Sequence, residues 1–308
     1  MKSRYLIVTA LAATLGAPAF SQVFDIAAYN LDIAAAIDDR QDPSSSQPAS
    51  DQTSAPQDAR DRIFYPGDTE RAKPLARKLL GNIWLDQKEI WTSPFHMHKS
   101  DAAWWLGIGG LTAALIATDH QTSNFLENSK GQVLWGNRVS NIGSAYSLIP
   151  IVAGFYTFGI LEDNAKARET AVLGGEALLD SLIVVSVLKP IAGRNRPNAK
   201  DDPGNFFDGG QSFPSGHAIN AWAMASVIAH QYSHHRIVPI LAYGLASTVV
   251  MARVGARQHF PGDVVAGSAL GWFIGDYTYG RRHNRDLDQK PTVAQRFLDH
   301  VHLGVEIQ

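Results

Sequence analysis

The feature that most constrains this chain is a series of apolar segments, each too long for an ordinary strand. They run over Ala102–Thr118, Val139–Leu161, Ala171–Leu188, His217–His230, Ile237–Ala252 and Val264–Tyr279. Polar turns such as Asp119–Lys130 and the Asp/Gly/Asn-rich stretch Asn198–Gly210 separate them, and little alternation of period two appears. The expectation is an all-α helical domain over residues 72–285, followed by a C-terminal tail over 286–308.

What precedes that domain is of a different kind. Lys2 and Arg4 lead into an apolar run from Tyr5 to Leu15, followed by small residues around Ala17, Ala19 and Ser21. That is the pattern of a secretory signal peptide, too short for a spanning helix of about 20 residues, with cleavage expected between Ala19 and Gln22. Residues 22–71 make an N-terminal segment and spacer. From Asp38 to Arg62 the spacer is rich in Ser, Pro, Gln and Asp and lacks the apolar side chains that would repay ordering. Export to a periplasm or cell envelope is the corresponding expectation.

Whether the helices enter a membrane is balanced in the sequence. Val139–Leu161 carries no charge over 23 residues, yet it contains Asn141, Pro150 and three glycines. Glu176 and Asp180 would be costly facing lipid, and mean hydropathy over the whole chain is only −0.11. These features favour a buried bundle, soluble or in peripheral contact with a membrane, over an integral one. Trp104 and Trp105 are assigned to core packing ahead of an interfacial role. A net charge of −2 supplies no field for nucleic acid, and the absence of cysteine removes disulfides, thiolate metal sites and cysteine nucleophiles.

Three clusters in the C-terminal half carry chemistry. Lys189 and Arg196 flank Pro190 and Gly193, which should break or bend a helix and leave both cations at its end and in a loop. They could satisfy helix carbonyls or converge on an anion. Pro214-Ser215-Gly216-His217 opens a helical pattern, where Ser215 is an N-cap candidate and the helix start is also a phosphate cradle. In the third cluster Arg253 ends an apolar helix, and His259 stands four residues before Asp263 with Pro261-Gly262 between them. Asp263 could accept the Nδ1–H of His259 and leave Nε2 as a directed nucleophile, or simply complement a helix dipole. Each cluster alone has an ordinary structural explanation. Together they supply cations, a helix N-terminus, two histidines and an orienting carboxylate, the parts of a phosphoryl-transfer site.

The spacings Lys-x6-Arg-Pro, Pro-Ser-Gly-His and Arg-x5-His-x3-Asp resemble the three-part signature of the type 2 phosphatidic acid phosphatase superfamily. That superfamily also includes bacterial class A acid phosphatases and vanadium haloperoxidases. The resemblance implies a helical bundle of the acid phosphatase / vanadium haloperoxidase type. It implies that Lys189, Arg196 and Arg253, with the Ser215 and Gly216 amides and the Ser215 hydroxyl, hold phosphate. It further implies that His259 attacks phosphorus, Asp263 stabilises the resulting imidazolium, and His217 protonates the leaving group and then activates water. One departure is Ala252, where the family usually has serine.

The function so implied is an exported phosphatase for phosphate monoesters, either lipid phosphates or small soluble esters, working through a phosphohistidine. The scarcity of convincing spanning helices leans toward soluble esters. No metal or cofactor is expected, with vanadate acting as an inhibitor. The alternatives are a vanadium-dependent haloperoxidase, for which vanadate would be the cofactor, and a non-catalytic phosphate-binding envelope protein. Self-association stays open. His96, His98, His234 and His235 are read as surface histidines, because no carboxylate spacing supports zinc.

Overall fold

The computed structural model describes residues 75–96, 99–125, 129–284 and 287. The signal-peptide and spacer assignments, and the tail apart from Leu287, lie outside the described residues. The described residues are all-α, as expected, in the order α1 (Leu75–Thr92), α2 (Lys99–Phe125), α3 (Lys130–Ser140), α4 (Ala145–Leu161), α5 (Ala165–Ala192), α6 (Gly216–Gln231), α7 (Ile237–Gly255) and α8 (Pro261–Arg282). Short 3-10 turns follow α1 and join α3 to α4.

Several boundaries differ from the sequence expectation. Val139–Leu161 is not one helix: α3 ends at Ser140 and α4 starts at Ala145, with the 3-10 turn Asn141–Gly143 between them. Gly143 sits there because a Cβ would meet Val249 and the His217 carbonyl. Asp119 is not in a polar turn; α2 continues to Phe125, and Asp119 is fully buried. Pro190 does not stop α5, which runs on to Ala192 and ends where Gly193 adopts φ +53 and donates its N–H to the Lys189 carbonyl.

The centre of the bundle is α6, packed against α8, α7 and α5. Leu173, Ala177, Val184 and Val185 of α5 meet Ile219, Ala223 and Val227 of α6 and Ile274 of α8 in the main core. Contact between α6 and α8 is unusually close because Gly267, Gly271 and Gly275 recur every fourth residue on α8. A side chain at any of the three would run into α6 backbone at Ser215, Ile219 or Ala223.

The outer faces carry the clearest correction. Three helical runs are long and apolar enough to cross a membrane: Lys130–Leu161, Ala165–Ala192 and Ile237–Gly255. In the first and third of these only 11% and 17% of the most apolar window is buried. Leu161, Phe158, Ile240, Leu241 and Met251 point outward, and Trp104 is also exposed, while Trp105 packs edge-on against Phe273. A buried bundle therefore does not account for these segments. Glu176 and Asp180, which argued against lipid contact, are wholly buried. Arg282 places Nη2 2.8 Å from Asp86 and Nε 3.0 Å from Glu176, while Gln87 donates to Asp180 at 2.9 Å. The charges face inward and leave the exterior apolar.

If the glycine seam sets the α6–α8 distance, Gly271→Ala should lower the thermal midpoint of detergent-solubilised protein, consistent with an overpacking cost of about 1–3 kcal/mol. Gly280→Ala, where nothing lies within 4 Å of the added carbon, should leave it unchanged.

Candidate active site

Four helix ends converge at one pole of the bundle. The last turns of α5 and α7 bring Lys189 and Arg253, and the first turns of α6 and α8 bring His217 and Asp263. The α6 and α8 starts are tied directly, because the Ser215 amide donates to the Asp263 carbonyl at 3.1 Å. That bond removes the Ser215 N–H from the expected phosphate cradle. The Gly216 amide remains at the first position of α6, where no preceding helical carbonyl exists to accept it. Its Cα hydrogen faces Lys189, whose Nζ would lie 3.8 Å from an added Cβ.

Ser215 occupies the N-cap position of α6 but makes no capping bond, and its buried hydroxyl has no partner among the described residues. A hydroxyl so placed is available to a ligand.

The cations show the same pattern. Among the described residues, none of Lys189, Arg196 and Arg253 has a carboxylate within ion-pair distance. Arg196 donates to the Gln258 side chain at 2.8 Å, and Arg253 reaches the Ser140 hydroxyl at 3.3 Å while its Nε has no partner. Burial lowers the pKa of Arg196. Arg253 is only 7% exposed. Unpaired cations in a desolvated pocket are costly unless an anion joins them. At Ala252, where the family has serine, the chain offers no hydroxyl; Ser140 at the end of α3 supplies one to Arg253 instead.

His259 is 2% exposed, and its Nδ1 lies 2.8 Å from the Ser212 carbonyl. Only a protonated Nδ1 can bond a carbonyl, so the neutral ring carries its lone pair on Nε2. The expected direct bond to Asp263 is not what holds the ring, since Asp263 Oδ2 is 3.7 Å from Nδ1. Asp263 is occupied otherwise: it accepts from Arg194 Nη1 at 2.6 Å, from the Ser212 hydroxyl at 2.5 Å and from the Phe260 amide at 2.9 Å. It thus serves both readings considered for it, closing the first turn of α8 and standing beside the imidazole as a fixed negative charge. Burial would raise its pKa, but His259, Arg194 and Ser212 outweigh that and hold it below the usual carboxylate value.

At neutral pH both histidines are neutral. Burial, with Arg253 and Arg196 adding to it, pushes His259 down to about 4 against the pull of Asp263. Burial, with Arg253, His259, Lys189 and Arg196, pushes His217 down to about 3.

The sequence reading did not single out Arg194, Asp119, Ser212, Gln258 or Ser140. Arg194 stood in view, two residues before Arg196. Gln258 stood inside the third cluster, directly before His259, whereas Asp119, Ser212 and Ser140 lie outside any spacing and only the fold brings them in. Of the surface histidines, His96 donates through Nδ1 to the Thr92 carbonyl 3.1 Å away, and His234 and His235 are exposed in the turn before α7. His98 lies outside the described residues. Among the described residues one acidic group has metal-ligand spacing, Asp86, Glu176 and Asp180. These are the carboxylates around Arg282, at the far end of α8 from His259.

A buried neutral histidine makes stability depend on pH. Between pH 6.5 and about 4 the unfolded chain takes up a proton at His259 that the folded chain refuses, so stability falls as pH falls through that window. The full loss from this group is roughly 3 kcal/mol. Thermal midpoints measured from pH 7 to pH 4 should decline in wild type and decline less in His259→Gln.

The PAP2 superfamily profile matches residues 170–286, which contain all three clusters. A lipid A 1-phosphatase of Rhizobium etli is 31% identical over 132 residues, covering 39% of this chain and 56% of the relative. The chain thus spans little more than half the length of that relative. Phosphatidylglycerophosphatase B of Bacillus subtilis is 30% identical over 184 residues, covering 53% of this chain and 86% of the relative. Among solved structures, a transmembrane PAP2-type phosphatidylglycerolphosphate phosphatase of Bacillus subtilis aligns with a TM-score of 0.40 at 20% identity, over 70% of this chain and 98% of that one. The profile match across Lys189–Asp263 and a relative 30% identical over most of its own length place the conclusion beyond motif spacing: this chain belongs to the PAP2 superfamily.

Proposed function

We propose that the chain is a membrane-embedded lipid phosphate phosphatase that works through a phosphohistidine on His259, without a metal. The observation that carries this reading is the set of three unpaired cations, with a free Ser215 hydroxyl, around a histidine whose Nδ1 is already committed to a carbonyl. Lys189, Arg196 and Arg253 would hold the non-bridging oxygens of a phosphate monoester and offset their charge as it spreads in the transition state. His259 Nε2 attacks phosphorus in line, the P–O bond to the alcohol breaks, and His217 gives its proton to the leaving oxygen. Asp263 stabilises the charged imidazole. His217, now neutral, takes a proton from water as that water attacks phosphorus, the P–N bond breaks, and inorganic phosphate leaves. Fixed cations supply the charge neutralisation that a metal would otherwise provide.

A lipid substrate is favoured over a soluble one by what adjoins the site. A half-open apolar groove runs between α4, α6 and α7, lined by residues that include Leu148, Ile151, Met224, Leu245 and Val249. Its upper end lies one helical turn from His217, at Ala221, and one turn from Arg253, at Val249. An acyl chain fits such a lining, whereas a sugar or nucleoside does not. The exposed apolar faces of α4 and α7 form the outer walls, in keeping with entry from a bilayer. The curated relatives named above are phosphatases of lipid headgroups, which supports the same choice. Export of the catalytic pole, to which the N-terminal Tyr5–Leu15 run points, is part of this reading.

Purified protein in mixed micelles should release phosphate from phosphatidic acid or phosphatidylglycerophosphate with EDTA present as fast as without it. His259→Ala should lower that rate on the order of a thousand-fold or more. Loss of all activity on chelation would overturn the metal-free scheme. Leu245→Gln, at a half-exposed groove position, should reduce kcat/KM for long-chain lipid phosphates several-fold and leave p-nitrophenyl phosphate turnover unchanged. Equal effects on both substrates would remove the groove from substrate binding.

A further inference from the structure

A fourth cation at this pole behaves unlike the other three. Arg194 is 1% exposed and fully partnered. Nη2 lies 2.9 Å from Asp119 of α2, Nη1 lies 2.6 Å from Asp263 of α8, and Nε donates to the Gly204 carbonyl at 3.2 Å. Its guanidinium sits over the rings of Phe206 and Phe260, at 4.7 and 4.5 Å from their centroids. All three nitrogens are engaged and the charge is already met by two carboxylates, so Arg194 is not one of the phosphate-binding cations. Asp119 is itself fully buried and accepts from the Gly262 amide at 3.3 Å, bracing the turn between His259 and Asp263. Gly262 allows this approach, since a Cβ there would lie 3.1 Å from Asp119 Oδ2 and 2.8 Å from Ile116.

We infer that Asp119 and Arg194 are positioning residues that set how much of the Asp263 charge His259 feels. The row Asp119, Arg194, Asp263, His259 alternates in sign when the imidazole is protonated, so each member tunes the next. Arg194 draws on Asp263 and weakens its hold on the imidazolium, while Asp119 draws on Arg194 and restores part of that hold. The other charges facing His259 are Arg196 from the loop after α5, Lys189 from α5, Arg253 from α7 and His217 from α6. None of these bonds to Asp119 or Arg194, so changes at the pair act on His259 through Asp263 and through space. This inference rests on His259 being the nucleophile of the phosphatase reading.

The two charges make opposite predictions, which a purely structural role does not. Arg194→Met removes a positive charge and should raise the pKa of His259 by about one unit; Asp119→Asn removes a negative charge and should lower it by a similar amount. Arg194→Lys, which keeps the charge, should stay near wild type. The double variant Asp119→Asn/Arg194→Gln removes both charges together and should return close to wild type, which guards against a single variant that fails to fold.

The experiment is an NMR titration of 15N-histidine-labelled full-length protein in detergent, run beside the pH profile of kcat/KM for phosphatidic acid. Opposite shifts of the His259 resonance, with matching movement of the acid limb, are expected. Shifts of the same sign, or none in folded variants, would overturn the inference. A wild type that titrates as expected but releases no phosphate at any pH would instead sink the phosphatase reading, and the two failures are told apart by the resonance alone.

Discussion

The close approach of α6 and α8 is the constraint on which the site depends. Because Gly267, Gly271 and Gly275 present no side chain to α6, the two helices lie almost backbone to backbone. Their N-termini then fall side by side, and the Ser215 amide can reach the Asp263 carbonyl. Each start carries one histidine nearby, His217 in the first turn of α6 and His259 in the loop before α8. A wider crossing would move His217 away from His259. The glycines therefore set the spacing of the two histidines through the approach of the two backbones.

Buried charge at the two poles of the bundle is handled in two ways. Arg282 at the far end of α8 is surrounded by Asp86, Glu176 and Asn82, and Arg194 is clamped between Asp119 and Asp263. Removing one partner from such a pair typically costs about 3–5 kcal/mol, because the other charge stays buried and unpaired. These arginines belong to the architecture. Lys189, Arg196 and Arg253 instead carry their charge into the pocket with only neutral partners, Gln258 and Ser140 among them. The fold tolerates that electrostatic cost at one place, and that place is where an anion would sit.

Much of the site was legible in the sequence, and the reason is geometric. Residues on the first or last turn of consecutive helices keep their roles through short local spacings, so Lys189, Arg196, Ser215, His217, Arg253, His259 and Asp263 could be picked out before any fold was known. The structure gathers them at one pole. What spacing could not give was the partner of each. Ser212, not Asp263, holds His259 Nδ1, and its carbonyl belongs to the loop Gly193–Ser215, whose path has no periodic signal. Asp119 read as the start of a polar turn because its neighbours Asp119-His120-Gln121 are polar, whereas its burial is decided by Arg194, 75 positions further on. The exterior was misjudged for a related reason. Periodicity tells which side of a helix is apolar but not whether protein or lipid will cover it. Glu176 and Asp180 counted as evidence against a bilayer until their inward partners were placed, Arg282 for Glu176 and Gln87 for Asp180.

The depressed pKa values of the two histidines fit a reaction that begins with an anion. Burial, with the charges of Arg253, Lys189 and Arg196 adding to it, keeps His217 neutral, with a pKa pushed down to about 3. A neutral His217 cannot protonate a leaving alkoxide. A bound phosphate monoester dianion would offset two of the three positive charges around His217. Repulsion from the cations is then largely offset at the moment the acid is needed, and in the proposed mechanism a proton carried in on a phosphate monoanion or drawn from solvent is held on His217. His259 responds differently. Its Nδ1 is tied to the Ser212 carbonyl, so its lone pair stays on Nε2, and in the proposed mechanism its own charge develops only as the P–N bond forms. In the proposed mechanism two histidines with similarly lowered values thus take different roles by what each faces: His217 the cations and the anion they would hold, His259 a neutral carbonyl and the field of Asp263.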